Sequence, residues 1–175
     1  MILVPAHLNL RQLSGLLILI FGCLMLLPAA AQGLMRSGGE GVGAAAQAFI
    51  FCSIAHIFLG TLVTLSAREH RAKAITWDQN QLFFSVIIMW AVAIFCATTP
   101  FLIVRSDLSL AKAVFEAVSA LTTSGATIMG HPQDLAPALL FWRALLQWLG
   151  GFAVLMTALF ILARFGTGGA ALLSP

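Results

Sequence analysis

The chain has 175 residues, of which 61% are hydrophobic and 9% are charged, and its formal net charge is +3. A soluble domain normally carries about 25% charged residues, so this composition excludes a soluble globular enzyme and indicates that lipid surrounds most of the chain. The basic residues lie scattered at the ends of apolar runs, which favours a role in membrane orientation over nucleic-acid binding. The sequence has no nucleophile with a matched base, no paired carboxylates and no phosphate-binding loop, so we expect neither enzyme activity nor a cofactor.

Four stretches are apolar enough, at about 20 residues each, to cross a bilayer as helices. They are residues 13–31, 47–66, 82–104 and 138–163. Arg11 and the apolar run behind it resemble a secretory signal peptide. That run is nevertheless about 19 residues long, which is enough to span the membrane, so we expect it to be the first transmembrane helix.

The connections between the spans differ in charge, and the difference predicts the orientation. Residues 36–42 form a glycine-rich turn, whereas residues 67–78 form a charged loop. With a cytoplasmic N-terminus, the inner side would hold Arg11, Arg68, Arg71, Lys73 and Arg164, and the outer side Arg36, Arg105 and Lys112. Because Lys and Arg are enriched on the cytoplasmic side of membrane proteins, we expect the N-terminus in the cytoplasm.

The segment between the third and fourth spans has a different pattern. A helix is predicted from Ser109, its N-cap, to Leu121. About 12 residues give roughly 18 Å, which is half of a bilayer. A run of Thr, Ser and Gly at residues 122–127, here called the polar loop, then ends the helix, and residues 131–134 return the chain to the surface. The pattern predicts a re-entrant loop.

A re-entrant loop has a specific chemical use. Irregular backbone survives at membrane depth only when it is buried in protein or lines a wet cavity. Extended residues there can turn carbonyl oxygens toward a monovalent cation and replace its hydration shell. A glycine permits backbone angles that other residues avoid. From this pattern alone, an exposed loop or close packing of small residues remains an alternative.

Three stretches carry a resemblance to a known family: residues 115–127, residues 140–151 and residues 165–169. They are similar to the TrkH/KtrB family of bacterial potassium transporters, in which four helix–pore loop–helix repeats surround one pore. TrkH-type members add two helices before the first repeat. The resemblance therefore implies two N-terminal helices with a charged cytoplasmic loop in residues 1–77, and the first repeat in residues 78–175. It also implies a bacterial inner membrane and a cytoplasmic nucleotide-binding regulatory partner.

The resemblance assigns the site residues. Filter carbonyls would come from Thr122, Thr123, Ser124, Gly125 and Ala126, with potassium, the substrate, bound at Thr123, Ser124 and Gly125. Apart from the resemblance, the positions of Glu116, Arg143 and Gln147 around the loop make them candidates for its support. Glu116 and Arg143 either pair or reach the interface separately, and Gln147 either bonds the pore helix or packs. Ser124, Ala120 and the pair Ala163 and Arg164 depart from the family pattern, which commonly has Thr, Gly and Pro there.

The expected function is potassium uptake, with this chain supplying the first filter segment. Because a ring of carbonyls needs four sides, one repeat encloses no pore, and we expect the chain to be a fragment of a longer protein. The alternatives are a non-conducting membrane scaffold and a single-repeat subunit that assembles as a tetramer. Two smaller questions also stay open: Gly150 and Gly151 provide either a hinge or close packing, and His56 is either a packed histidine or a proton relay.

Overall fold

The computed structural model describes residues 10–34, 40–67, 79–130 and 135–169. Within these ranges every element is a helix: α1 Leu10–Leu24, α2 Leu26–Leu34, α3 Glu40–Ser66, α4 Gln79–Val104, α5 Leu110–Leu121 and α6 Pro137–Gly169. Four segments are long and apolar enough to cross a membrane: Leu10–Leu34, Gly43–Ser66, Phe83–Val104 and Pro137–Leu162. The predicted all-α membrane fold, with four spans and a short helix between the last two, is confirmed.

The first span is not one continuous helix, which corrects the sequence prediction for residues 13–31. It breaks at Met25 into α1 and α2, although Met25 N still donates to Phe21 O at 3.0 Å. The cause is Pro28, which lies four residues after Leu24. A proline has no N–H to donate to that carbonyl, and its ring collides with the carbonyl. The two halves together still provide 25 residues for the crossing.

Two other boundaries also differ from the prediction. The expected glycine-rich turn at residues 36–42 is shorter, because α3 already begins at Glu40. The final helix continues to Gly169, six residues past its expected end at residue 163. It begins at Pro137, where proline suits a first helical position because the N–H there has no partner within the helix. Two predicted segments lie outside the described ranges. They are residues 68–78, which make up nearly all of the charged loop, and residues 131–134, which were expected to return the chain to the surface.

The N-terminal helices pack through small residues. α1 packs most extensively on α3. A Cβ at Gly60 would lie 2.7 Å from Leu19 N and 2.8 Å from Gly15 O, so glycine is required for this approach. The buried hydroxyl of Ser53 donates to Gly22 O at 2.7 Å and joins the same two helices. Close backbone approach and interhelical hydrogen bonds are how helices associate in lipid, where the hydrophobic effect is absent.

Trp142 joins α6 to the other three spans. Its side chain is fully buried and makes edge contacts with Phe21, at 6.2 Å between ring centroids, and Phe49, at 5.9 Å. Its Nε1 donates to the carbonyl of Ala97 in α4 at 3.2 Å. This part of α4 contains Pro100. The carbonyl that the proline leaves without a donor, that of Cys96, accepts from Thr99 Oγ1 at 3.0 Å. The arrangement fixes α6 as the wall against which α5 packs.

Candidate functional site

The short helix α5 begins at an exposed turn. The Ser109 side chain caps it by accepting from Lys112 N at 3.4 Å. Just before it, Arg105 donates to both carboxylate oxygens of Asp107, at 2.7 and 2.8 Å. The hydrogen bond from Arg105 holds the pKa of the Asp107 carboxyl down to about 2, so this pair stays charged at neutral pH. The ion pair therefore links two residues within the turn that precedes α5.

The C-terminal end of α5 lies beside the midpoint of the last span. Gly150 is the fourteenth of the 26 residues in Pro137–Leu162. A Cβ at Gly150 would lie 2.6 Å from the Leu121 carbonyl carbon and 2.8 Å from its Cα. The 12 residues of α5 reach roughly 18 Å, or half of a bilayer. α5 therefore ends at mid-depth of the span, and the approach favours close packing over a hinge at Gly150.

The backbone reverses direction in the polar loop. Thr122 N still donates to Val118 O at 2.8 Å and closes the last helical turn. Thr123 then adopts a φ of +58° and Gly125 a φ of +71°. These left-handed values let the chain turn sharply, and they are uncommon for a residue such as threonine. A Cβ at Gly125 would meet only Gln147, so glycine is favoured there by φ and not by lack of space.

After the reversal, the chain runs back along the helix that it has just left. Ser119 contacts Ala126, and Glu116, a turn earlier in α5, contacts Thr127 and Ile128. Increasing residue number in the loop thus matches decreasing residue number in α5. A helix that ends beside the middle of a span and an extended segment that returns along it form the re-entrant arrangement predicted from the sequence.

The main-chain groups of the polar loop divide into two sets. Ser124 N and Gly125 N both point toward Ser119 O, at 3.1 and 3.4 Å. Successive right-handed and left-handed residues can place their N–H groups on one side, and Ser119 O accepts from both of these groups. Within the described ranges, the carbonyl oxygens of Thr122, Thr123, Ser124 and Gly125 accept no hydrogen bond. We call these four oxygens the carbonyl row.

Ala126, the fifth residue assigned to the filter, differs from the other four. Its carbonyl oxygen accepts a hydrogen bond from Ser119 Oγ at 2.5 Å. The contact directs this oxygen at α5, whereas the four oxygens of the carbonyl row accept no hydrogen bond within the described ranges. Sequence analysis treated Ser119 only as part of a motif and did not predict this bond. Its position two residues before the end of α5 was the available signal.

Glu116 braces the returning segment. Its side chain is fully buried, and its Oε1 accepts from Thr127 Oγ1 and from Ile128 N, both at 2.8 Å. The same carboxylate forms an ion pair with Arg143 of α6, whose Nη1 also donates to Thr127 Oγ1 at 3.3 Å. A charge buried at membrane depth is costly unless it is paired and hydrogen-bonded. The network therefore ties α5, the loop and α6 together.

Gln147, the third residue assigned to loop support, lies behind the polar loop. Its Nε2 is 3.7 Å from the position that a Cβ on Gly125 would occupy. One turn further along α6, a Cβ on Gly151 would lie 3.6 Å from the Thr123 methyl group. Among the described residues, Gln147 makes no hydrogen bond to α5. This face of α6 therefore contacts the loop by packing.

Comparison with known proteins finds a matching family profile and several similar proteins. The profile of the TrkH family, described as a cation transport protein, matches residues 45–174. The chain is 34% identical over 159 residues to the Trk system potassium uptake protein TrkH of Vibrio parahaemolyticus, covering 90% of the chain and 31% of that protein. It is 39% identical over 89 residues to TrkI of Halomonas elongata, covering 51% of the chain and 18% of that protein.

A similar relation holds for TrkH of Escherichia coli K12, at 30% identity over 90% of the chain and 31% of the relative. The chain thus spans about a third of the length of the TrkH relatives that it matches. No solved structure matches it significantly. The family profile and these relatives confirm the resemblance drawn from the motifs at residues 115–127 and 140–151.

Proposed function

Since this chain belongs to the TrkH family of cation transport proteins, we propose that it takes part in potassium uptake across a membrane and supplies one side of the selectivity filter. The observation that carries this proposal is the carbonyl row at the mid-depth end of α5. Four main-chain oxygens without a donor are costly in lipid and useful only where a cation or water meets them. The names of the relatives describe potassium uptake, which favours potassium.

Selection would rest on the backbone. Main-chain oxygens replace the hydration shell of a potassium ion, and their number and field strength decide which ion they prefer. The ion would be bound chiefly by the carbonyls of Thr123, Ser124 and Gly125. The negative dipole end of α5 would add to the attraction. The membrane potential would drive entry, since a monovalent ion gains about 2.3 kcal/mol per 100 mV.

The rest of the pore would come from other segments. One carbonyl row forms one side of a filter, so three more sides are required, from elsewhere in a longer chain or from other subunits. The face available for them includes the exposed polar loop and exposed residues of α6 such as Trp148 and Phe152. A cytoplasmic nucleotide-binding regulatory subunit is a further proposed partner, since the family resemblance implies one.

The proposed topology places the N-terminus in the cytoplasm of a bacterial cell, with the chain in the inner membrane. Three crossings precede α5, so α5 would enter from the outer side and its C-terminus would point toward the cytoplasm. Residues 1–77 would then form the N-terminal pair of helices and residues 78–175 the first repeat. The support for this division is the match of α4, α5 and α6 to a helix–pore loop–helix pattern.

The test is Gly125→Ser in the complete transporter, expressed in bacteria that lack other potassium uptake systems. A serine must adopt a φ near +71° at this position, and the left-handed strain of about 1–2 kcal/mol should disturb the carbonyl row. We expect the preference for potassium over sodium to fall roughly tenfold, as 1.4 kcal/mol corresponds to a factor of ten. The measurement is initial uptake of each ion.

The matched control for this substitution is Gly130→Ser. It places the same residue further along the same connection, where a Cβ meets nothing within 4 Å and φ is not left-handed. We expect Gly130→Ser to transport as the wild type does. If Gly125→Ser inserts normally and keeps the wild-type ion preference, the filter assignment is wrong. Absence of any ion flux through the wild-type protein would favour a non-conducting scaffold.

A further inference from the structure

Ser119 makes an unusual number of contacts with the polar loop. Its carbonyl accepts from Ser124 N and Gly125 N. Its hydroxyl lies 2.5 Å from Ala126 O and 3.0 Å from Ser124 Oγ. The side chain is only 4% exposed, so water does not compete for these bonds. A single residue of α5 thus holds the beginning and the end of the loop.

The direction of the hydrogen bonds follows from the number of protons. A hydroxyl has one proton to donate and two lone pairs to accept with. Ala126 O can only accept, so Ser119 must give its proton there. In the contact between the two serines, Ser124 is therefore the donor, and its hydroxyl also lies within donating distance of Ser119 O, at 3.3 Å. The result is a chain of two bonds, from Ser124 through Ser119 to the Ala126 carbonyl, in which each bond polarises the next.

We propose that Ser119 is a positioning residue for ion selection: its hydroxyl holds the Ala126 carbonyl against α5 and so ends the row of ion-facing oxygens at Gly125. This inference rests on the proposed function and deepens it. The family resemblance assigns five carbonyls to the filter. The hydroxyl of Ser119 holds the fifth, that of Ala126, away from the ion. The number of coordinating oxygens is one of the quantities that set ion preference.

Removal of the hydroxyl has a restricted effect on the structure. In Ser119→Ala, the Ser119 carbonyl and its two bonds from Ser124 N and Gly125 N remain. The brace from Glu116 to Thr127 and Ile128 also remains. The Ala126 carbonyl loses its donor, whereas the Ser124 hydroxyl can still donate to Ser119 O at 3.3 Å. The freed Ala126 carbonyl can then turn toward the ion path. The variant therefore separates the direction of one oxygen from the folding of the loop.

The experiment compares Ser119→Ala with Ser53→Ala in the complete transporter. Ser53 is the matched control, because it is also a buried serine that donates to a main-chain carbonyl, Gly22 O, but it lies between α1 and α3. We expect Ser119→Ala to lower the preference for potassium over sodium about fivefold and to raise the KM for potassium, which corresponds to the ~1 kcal/mol of one hydrogen bond. Ser53→Ala should leave both quantities unchanged.

A nearly isosteric second variant, Ser119→Cys, covers the case in which Ser119→Ala fails to accumulate. A thiol is a weak donor, so the preference for potassium should fall in the same direction. Wild-type ion preference in Ser119→Ala, or in Ser119→Cys if only that variant accumulates, overturns the inference. If Gly125→Ser changes ion preference while the Ser119 variants do not, the proposed function survives and the role of Ser119 is lost. If none of them changes it, the filter assignment also fails.

Discussion

In the complete transporter, Glu116→Ala is expected to destabilise the protein by ~3–5 kcal/mol and to abolish the proposed potassium uptake. The carboxylate is fully buried and accepts hydrogen bonds from Thr127 and Ile128. Its removal would also leave the Arg143 guanidinium in α6 without its ion-pair partner, and an unpaired buried charge costs about this much. The measurements are thermal unfolding of the detergent-purified protein and uptake in cells.

Two controls separate the buried ion pair from ion pairs in general. Asp107→Ala breaks the exposed pair with Arg105, and exposed pairs contribute little, so its unfolding temperature should not change resolvably. Glu116→Gln keeps an oxygen that can accept from Thr127 and Ile128, so it should lose less stability than Glu116→Ala. Equal unfolding temperatures for Glu116→Ala and Asp107→Ala would show that the brace does not hold the loop.

Gly150→Ala is expected to displace the end of α5 and to destabilise the protein by about 2–3 kcal/mol, the cost of overpacking a tight contact. The added Cβ would meet the backbone of Leu121, with its carbonyl carbon at 2.6 Å. Backbone cannot rotate away as a side chain can, so α5 and the carbonyl row must move. We expect the initial rate of potassium uptake by the complete transporter to fall as well, because the carbonyl row is displaced. Thermal unfolding and initial uptake rates measure the two effects.

The adjacent glycine provides the control for this prediction. In Gly151→Ala, the new Cβ meets only the Thr123 methyl group, at an ordinary 3.6 Å. Both positions lie within α6, where alanine is intrinsically favoured over glycine by roughly 0.5–1 kcal/mol. Gly151→Ala should therefore retain uptake with equal or greater stability. If the two variants behave alike, the close contact between Gly150 and α5 is not what positions the loop.

The spans could be predicted from the sequence because a membrane imposes a simple length rule on apolar helices. The ends of the helices could not be predicted as well, because they depend on local hydrogen bonds. The break at Met25 follows from Pro28 and was visible only by counting back to Leu24. The Oε1 of Gln32, also in α2, accepts a hydrogen bond from Ala138 N at 2.6 Å and so caps α6 from 106 positions earlier in the chain.

The buried face of α5 illustrates a second limit of sequence analysis. Two of its large apolar side chains are exposed, Leu110 at 64% and Phe115 at 43%, although Leu121 at its end is buried. The fully buried positions include Ala113, Ala117 and Ala120. In lipid, close packing selects small residues for helix contacts, and large apolar side chains can face outward. A hydrophobic stripe therefore does not identify the packed face of such a helix.

The polar loop was recognised from its composition, but the direction of each carbonyl was not. That direction depends on backbone angles, and the left-handed φ of Thr123 is unusual for a β-branched residue. Whether Glu116 and Arg143 pair was also open from the sequence, because the two residues lie 27 positions apart. In the structure they pair, because Gly150 lets α6 pack directly on α5.

We propose that the carbonyls of Thr122, Thr123, Ser124 and Gly125 face a potassium path at mid-membrane depth. The most direct test is an experimental structure of the complete transporter in rubidium, a heavier monovalent ion that can be located by its anomalous scattering. We expect rubidium in contact with these four oxygens and none against the Ala126 carbonyl. Rubidium bound elsewhere, or residues 122–127 inside a continuous spanning helix, would contradict it.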